Sequence, residues 1–151
     1  VEKNYGVYEI MTEENFEKFI EQLQRKIEYE EEQKYSKEVI YEYRNPNNFG
    51  DIKNTDTSGK IKGPCGDTMK ISLKINNDII TDAFFWTDGC GATIACGSMI
   101  TKMVKGISVD KATNITIENL TESLKGLPKE HLHCSKLAIE TLKKAIKNYK
   151  K

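Results

Sequence analysis

The sequence lacks net charge: 23 Lys and Arg balance 23 Asp and Glu over 151 residues. Nucleic-acid affinity grows with the cations a protein brings to phosphates, so no nucleic-acid partner is expected. No apolar run approaches the roughly 20 residues needed to span a bilayer, so no membrane is expected either. A charged-then-apolar leader is also missing, and the expectation is a cytoplasmic protein. There is no internal repeat, no low-complexity linker and no glycine loop of the kind that cradles phosphate. Cysteine is sparse, with four residues. Four could close two disulfides, but a chain of this length needs no staples and a cytosol keeps thiols reduced. Metal or sulfur chemistry is the leading reading of the four, inert buried thiols the next, and disulfides the last.

What is present supports one domain with a real core and room for an appendage. Its chemistry gathers at three short stretches. Gly63-Pro64-Cys65-Gly66-Asp67 reads as a tight turn between two strands, with a thiol and a carboxylate two residues apart. Gly89-Cys90-Gly91 and His133-Cys134 supply two more thiols and an imidazole. Brought together, three soft thiolates with a harder oxygen or nitrogen ligand suit zinc or iron–sulfur chemistry, and do not suit magnesium or calcium.

Taken in order, Thr12 caps a helix over 13–31. Phe16, Phe19, Ile20, Leu23 and Ile27 mark one apolar face and a charged face lies opposite. Such a stripe must be covered by this body or by another chain. Ser36 caps a second helix, which stops at Asn45-Pro46. Residues 51–60 are polar and read as loose chain, with a short strand near 60–63. Met69, Ile71, Leu73 and Ile75 alternate with polar residues as a half-buried strand. Asn76-Asn77-Asp78 makes a hairpin turn into a strand over 79–87 that faces Phe84 and Trp86 outward. A helix follows from Gly91 to Val104 and ends at Gly106. Residues 109–113 form a short connector, Thr116 caps a helix to about Leu124, and a final helix opens at or just before Ser135.

Cys90 and Cys134 both fall near the positive end of a helix, where the thiolate is favoured and the thiol pKa is lowered. Asp67 or His133 can serve as the harder ligand beside Cys65, Cys90 and Cys134. His131 reads as a flanking residue. Cys96 lies six residues after Cys90 on the same helix, which turns it onto the apolar stripe as core.

Tyr43-Arg44-Asn45-Pro46-Asn47-Asn48-Phe49-Gly50, Pro64-Cys65-Gly66-Asp67, Gly89-Cys90-Gly91-Ala92-Thr93-Ile94-Ala95 and Leu132-His133-Cys134-Ser135 together resemble the IscU-type scaffold family, also found as the N-terminal domain of NifU. The likeness covers about residues 34–150. It divides the chain into an extension, 1–33, with its amphipathic helix, and a scaffold domain, 34–151. It implies an α+β fold with a three-stranded antiparallel sheet and helices packed on one face. It implies a scaffold, not an enzyme, on which iron and sulfide assemble into a 2Fe–2S cluster. A cysteine desulfurase would supply the sulfur, and apo iron–sulfur proteins would receive the cluster. Carried over by position, Cys65, Cys90 and Cys134 match the family's three cysteines and Asp67 the aspartate tied to cluster lability. His133 matches the histidine that can ligate, and Cys134 the cysteine taken to accept persulfide sulfur. The zinc-binding branch typically carries an insertion between the second and third of these blocks and lacks the histidine, so His133 and the short spacing favour the IscU side. The chain departs from the family in three ways. The chaperone motif Leu-Pro-Pro-Val-Lys reads Leu127-Pro128-Lys129-Glu130-His131, keeping only its first two residues, so the resemblance does not carry a dedicated chaperone. Cys96 replaces the usual serine, and the 13–31 helix lies outside the shared region.

The leading expectation is therefore a cluster scaffold that holds its cargo loosely through one oxygen or nitrogen ligand. A homo-oligomer sharing the cluster is compatible with it. The alternative is a zinc-binding sulfur acceptor using the same ligands, since these also bind zinc. A third is a binding module in which the 13–31 helix is the contact and the thiols are silent.

Overall fold

The computed structural model describes residues 12–151; residues 1–11 of the expected extension lie outside them. The chain forms two compact units, one ending at Lys34 and one running Tyr35–Lys151. The first holds α1, Glu13–Lys34. The Thr12 hydroxyl accepts the Asn15 N–H at 3.2 Å, and Glu13 and Glu14 sit in the first turn, where acidic groups oppose the helix dipole favourably. Glu14–Lys18 adds an i,i+4 ion pair at 3.1 Å. No residue of α1 is buried, and Phe16, Phe19, Leu23 and Ile27 stay about half exposed.

The second unit is α+β. Strands β1 (Thr57–Lys62), β2 (Thr68–Asn76) and β3 (Ile79–Thr87) form one antiparallel sheet in the order β1-β2-β3. The β2–β3 hairpin closes through Asn77 and Asp78, both at positive φ (51° and 61°), the geometry that matches a tight turn to the strand twist. Alternation puts Met69, Ile71, Leu73, Ala83 and Phe85 on one buried face, as the 2-residue period requires. Phe84 and Trp86 face the other way and are partly buried, with Lys74 Nζ 5.9 Å from the Phe84 ring centre.

Helices cover the apolar face. The last helix, α6 (Leu132–Tyr149), lies along β1 and β2; α3 (Gly91–Val104) lies along β3; α2 (Lys37–Arg44) packs on α3. The approach of α3 to β3 depends on Gly97, where a Cβ would stand 2.3 Å from the Phe85 ring. Glu42, buried on α2, accepts the Ser98 hydroxyl and the Lys102 ammonium, each at 2.5 Å, and ties α2 to α3. The Ser36 hydroxyl accepts the Val39 N–H at 3.1 Å to cap α2, and donates to the Leu124 carbonyl. The connectors are α4 (Val109–Thr113) and α5 (Ile117–Ser123), the latter opened by a reciprocal Thr116–Asn119 capping box.

Two expectations need correction. The polar stretch 51–60 is not loose: β1 already begins at Thr57, and the segment before it is fastened to the sheet. Asp51 pairs with Lys70 at 2.7 Å, Asp56 Oδ2 accepts the Ile75 N–H at 2.7 Å, and Phe49 meets Phe85 edge-on at 5.2 Å. Acidic side chains here pair with Lys70 and the Ile75 N–H of the central strand β2, which polarity alone did not reveal. The last helix also starts earlier, at Leu132 after a 3₁₀ turn Lys129–His131, so His133 and Cys134 lie inside its first turn.

Candidate metal centre

The site is built where the end of the sheet meets two helix starts. The β1–β2 turn is drawn shut by Gly63 N–H to Asp67 O at 2.7 Å and Gly66 N–H to Gly63 O at 3.0 Å. Gly66 takes φ +86°, which a side chain would strain. The β3–α3 junction is clamped beside this turn: the Thr87 hydroxyl donates to Thr68 O at 2.7 Å, and the Thr68 N–H donates to Asp88 Oδ1 at 2.7 Å. That clamp sets Asp67 next to the residues following Asp88. Cys90 then stands at the N-cap of α3, without a side-chain capping bond.

Thr93, buried at the third position of α3, links the parts. Its hydroxyl lies 3.3 Å from Cys134 Sγ, 3.6 Å from Cys90 Sγ and 3.4 Å from Asp67 Oδ2. A hydroxyl owns one proton, so it can donate to one of these three at a time. His133 Nε2 lies 3.6 Å from Cys134 Sγ, and the His133 side chain lines a small cleft of about 90 Å³ with Gly63 and Pro64. Among the described residues, one group of three donors could hold a single ion: the ligand atoms of Cys90, His131 and Cys134 lie within 4.8 Å of one another.

The expected residues therefore divide. Cys90 and Cys134 meet directly, Asp67 joins them through Thr93, and His133 flanks Cys134 toward the turn that carries Cys65. Cys65 is exposed on that turn and does not belong to the three-donor group. Cys96 is buried, with its sulfur 3.8 Å from the Ser135 hydroxyl, and burial pushes its thiol far above the ordinary value; it is core, as expected.

The expected thiol acidity holds for one helix start and fails for the other. At Cys90 partial burial works upward, but the Thr93 N–H, the Thr93 hydroxyl, the Ala92 N–H and the Cys134 thiol outweigh it. The pKa lies below the ordinary thiol value. At Cys134 burial dominates, the Thr93 hydroxyl opposes it, and the charges of Cys90 and Asp67 add to it. The thiol is pushed up to about 11. Desolvation and nearby anions penalise a thiolate more than the helix end favours it.

Sequence reasoning missed Thr93 and set His131 aside. Both had a spacing signal: Thr93 follows Cys90 by three residues and His131 precedes Cys134 by three, which places each pair on one side of a helix start.

Comparison with known proteins bears on this geometry. The profile of the NifU-like N terminal domain matches residues 34–151. The chain is 42% identical over 118 residues to the iron-sulfur cluster assembly scaffold protein IscU of Aquifex aeolicus, covering 76% of this chain and 75% of that one. It is 46% identical over 121 residues to the protein of the same name from Escherichia coli K12, covering 77% and 94%. Its fold is similar to the crystal structure of the N-terminal part of a NifU-like protein from Brucella abortus, with a TM-score of 0.59 at 18% identity over 76% of this chain and 93% of that one. At that identity the likeness speaks for the fold alone.

Proposed function

Since the chain belongs to the NifU-like N-terminal domain family, we propose that it is a scaffold on which iron and sulfide are assembled into a 2Fe–2S cluster in the cytoplasm. Sulfur comes from a cysteine desulfurase and the finished cluster passes to apo iron–sulfur proteins. The convergence of two helix-start thiols on one buried hydroxyl that also reaches a carboxylate carries this reading. Thiolates hold iron and sulfide; an oxygen ligand in their midst keeps the hold weak enough to surrender the cargo. Cys65, Asp67, Cys90, His133 and Cys134 are the proposed cluster ligands, with Cys65 brought in by its exposed turn. No helix among the described residues is long and apolar enough to cross a membrane.

Cys134 is the proposed sulfur acceptor. Its sulfur would attack the outer sulfur of the donor persulfide, forming a new S–S bond as the donor cysteine leaves as thiolate. As placed, Cys134 is fully buried and its thiol is protonated at neutral pH, so acceptance requires the first turn of α6 to open.

Anaerobic reconstitution with iron, cysteine and a desulfurase is the test. Absorption and Mössbauer spectra of a two-iron cluster on the chain, followed by its transfer to an apo-ferredoxin, are the expected results. A chain that acquires no iron and sulfide under these conditions defeats the proposal. A second reading, a zinc-binding sulfur acceptor, is favoured by the two thiols and one imidazole already within one ion's reach. It predicts sulfur acceptance at Cys134 with zinc retained and no cluster formed.

A further inference from the structure

The scaffold reading makes no use of α1. Its large apolar side chains Phe16, Phe19, Leu23 and Ile27 are all about half exposed, and none of its residues is buried. A helix of 22 residues gains little from propensity alone; an amphipathic one is held by whatever covers its apolar face. The spacing says what kind of cover fits. Phe16, Ile20, Leu23 and Ile27 recur at intervals of four, three and four, the alternation of a heptad repeat. Lettered as heptads, Ile20 and Ile27 fall at a, and Phe16 and Leu23 at d. Phe19, at g, widens this seam on one side. β-Branched residues at a with Leu at d favour two parallel strands.

Charge on the flanks decides the direction of pairing. In a parallel pair each g residue meets the next e residue of the other strand; in an antiparallel pair e meets e and g meets g. Here e holds Glu17, Gln24 and Glu31, and g holds Phe19, Lys26 and Gln33. An antiparallel pair therefore brings no opposite charges together in any register. A parallel pair sets Lys26 against the partner's Glu31, twice by symmetry. Two ion pairs within α1, Glu14–Lys18 at 3.1 Å and Glu21–Arg25 at 3.9 Å, lie at b and f, on the face away from the seam.

We propose that α1 is a pairing helix whose occupant is α1 of a second copy, wound in parallel along Phe16, Ile20, Leu23 and Ile27. The seam is short. Glu13 precedes it at a and Glu30 follows it at d, so pairing is reversible and depends on protein concentration. Parallel strands bring the two Lys34 ends together, and in each copy the second unit begins at the next residue, Tyr35. Two such units then meet at the roughly millimolar local concentration that a short tether imposes, whatever the concentration in solution. On the scaffold reading this keeps two assembly sites in one particle; the pairing itself does not rest on that reading.

Sedimentation equilibrium of the full chain, metal-free and reduced, from low to high micromolar concentration, is the test. A reversible monomer–dimer equilibrium is expected. Leu23→Asp puts two carboxylates into the seam and should weaken pairing at least about 30-fold, with the thermal melt of the second unit unchanged. Lys26→Glu sets like charges together on both flanks and should weaken it about 3–10-fold. Adding Glu31→Lys to that variant should restore the parent's affinity to within about 2-fold. Glu30→Leu prolongs the seam and should tighten pairing at least about 10-fold. A chain that stays monomeric throughout overturns the proposal, as does a dimer that survives Leu23→Asp. Parallel pairing is also overturned if Lys26→Glu pairs like the parent, or if the double reversal pairs no better than Lys26→Glu alone. None of these readings involves metal, so they stand or fall apart from cluster reconstitution.

Discussion

Cys90 and Cys134 occupy matching places, each in the opening turn of a helix, yet their acidities move in opposite directions. The helix-end field acts on both and so cannot decide between them. What differs is solvent and company. Cys90 is exposed and has the backbone N–H groups of Ala92 and Thr93 favouring its thiolate, while Cys134 is sealed from water and faces two groups that carry negative charge when ionised. One sulfur is thus ready for metal or electrophile, and the other is kept in reserve until the pocket opens or an ion replaces its proton. On the proposed scaffold function, a site that accepts cargo and later gives it up gains from having both kinds.

The sharpest way to break this comparison is to measure thiol reactivity. A thiol at about 11 carries about 100-fold less thiolate at pH 8 than one at the ordinary 9.0. Brief iodoacetamide treatment followed by peptide mass spectrometry should therefore label Cys90 at least about 100-fold faster than Cys134. Equal labelling of the two would show that the first turn of α6 is open in solution. Zinc should protect both.

The next largest effect belongs to the hydroxyl the two sulfurs share. Thr93→Val keeps the volume and removes the oxygen that stabilises either thiolate. Both thiols should become less acidic. Cys90 alkylation should slow by about 3–10-fold, and folding stability should fall by about 1 kcal/mol. Unchanged Cys90 kinetics would leave the backbone N–H groups and the Cys134 thiol as the causes of its acidity. Asp67→Ala acts in the other sense and more weakly. Removing a negative charge lowers the Cys134 pKa, so its labelling should quicken about 2–3-fold. In a reconstituted sample the same change should lengthen cluster lifetime, followed by the decay of its visible absorption. A cluster lost as fast as in the parent counts against Asp67 as the weak ligand.

Much of this architecture was legible along the chain, for local reasons. Thr12, Ser36 and Thr116 announce their helices by capping them, and the alternation from Met69 to Ile75 announces a half-buried strand. The thiols and Asp67 were legible because each falls at the end of an element. Hidden from the chain was everything that needs two distant segments at once. The burial of Cys134 depends on how α6 lies against the sheet and α3. His131 joins the site only because α6 begins at Leu132, three residues before Ser135, and because Tyr35 holds its ring from 96 residues away. Thr93 reads as an ordinary helical threonine until three groups from three elements are seen around it.

Cys96 gives the smallest effect at the site and a clean control on the comparison. It shares α3 with Cys90 but is fully buried, and its thiol is pushed far upward, chiefly by burial. A thiol whose pKa is higher folded than unfolded keeps its full contribution below the unfolded value and loses it as pH rises through the folded one. Stability of the parent should thus begin to fall as pH passes about 9, with Cys96 and Cys134 both contributing. Cys96→Ala removes one of the two, so the alkaline decline in urea-melt stability should be shallower by up to about 1.4 kcal/mol per pH unit. Cys90 labelling at neutral pH should stay as in the parent, because the Cys96 sulfur is buried in the core. A change would mean that the apolar stripe of α3 and the thiol pair are one coupled structure, and that the opposite acidities at the two helix starts are set partly from inside the core.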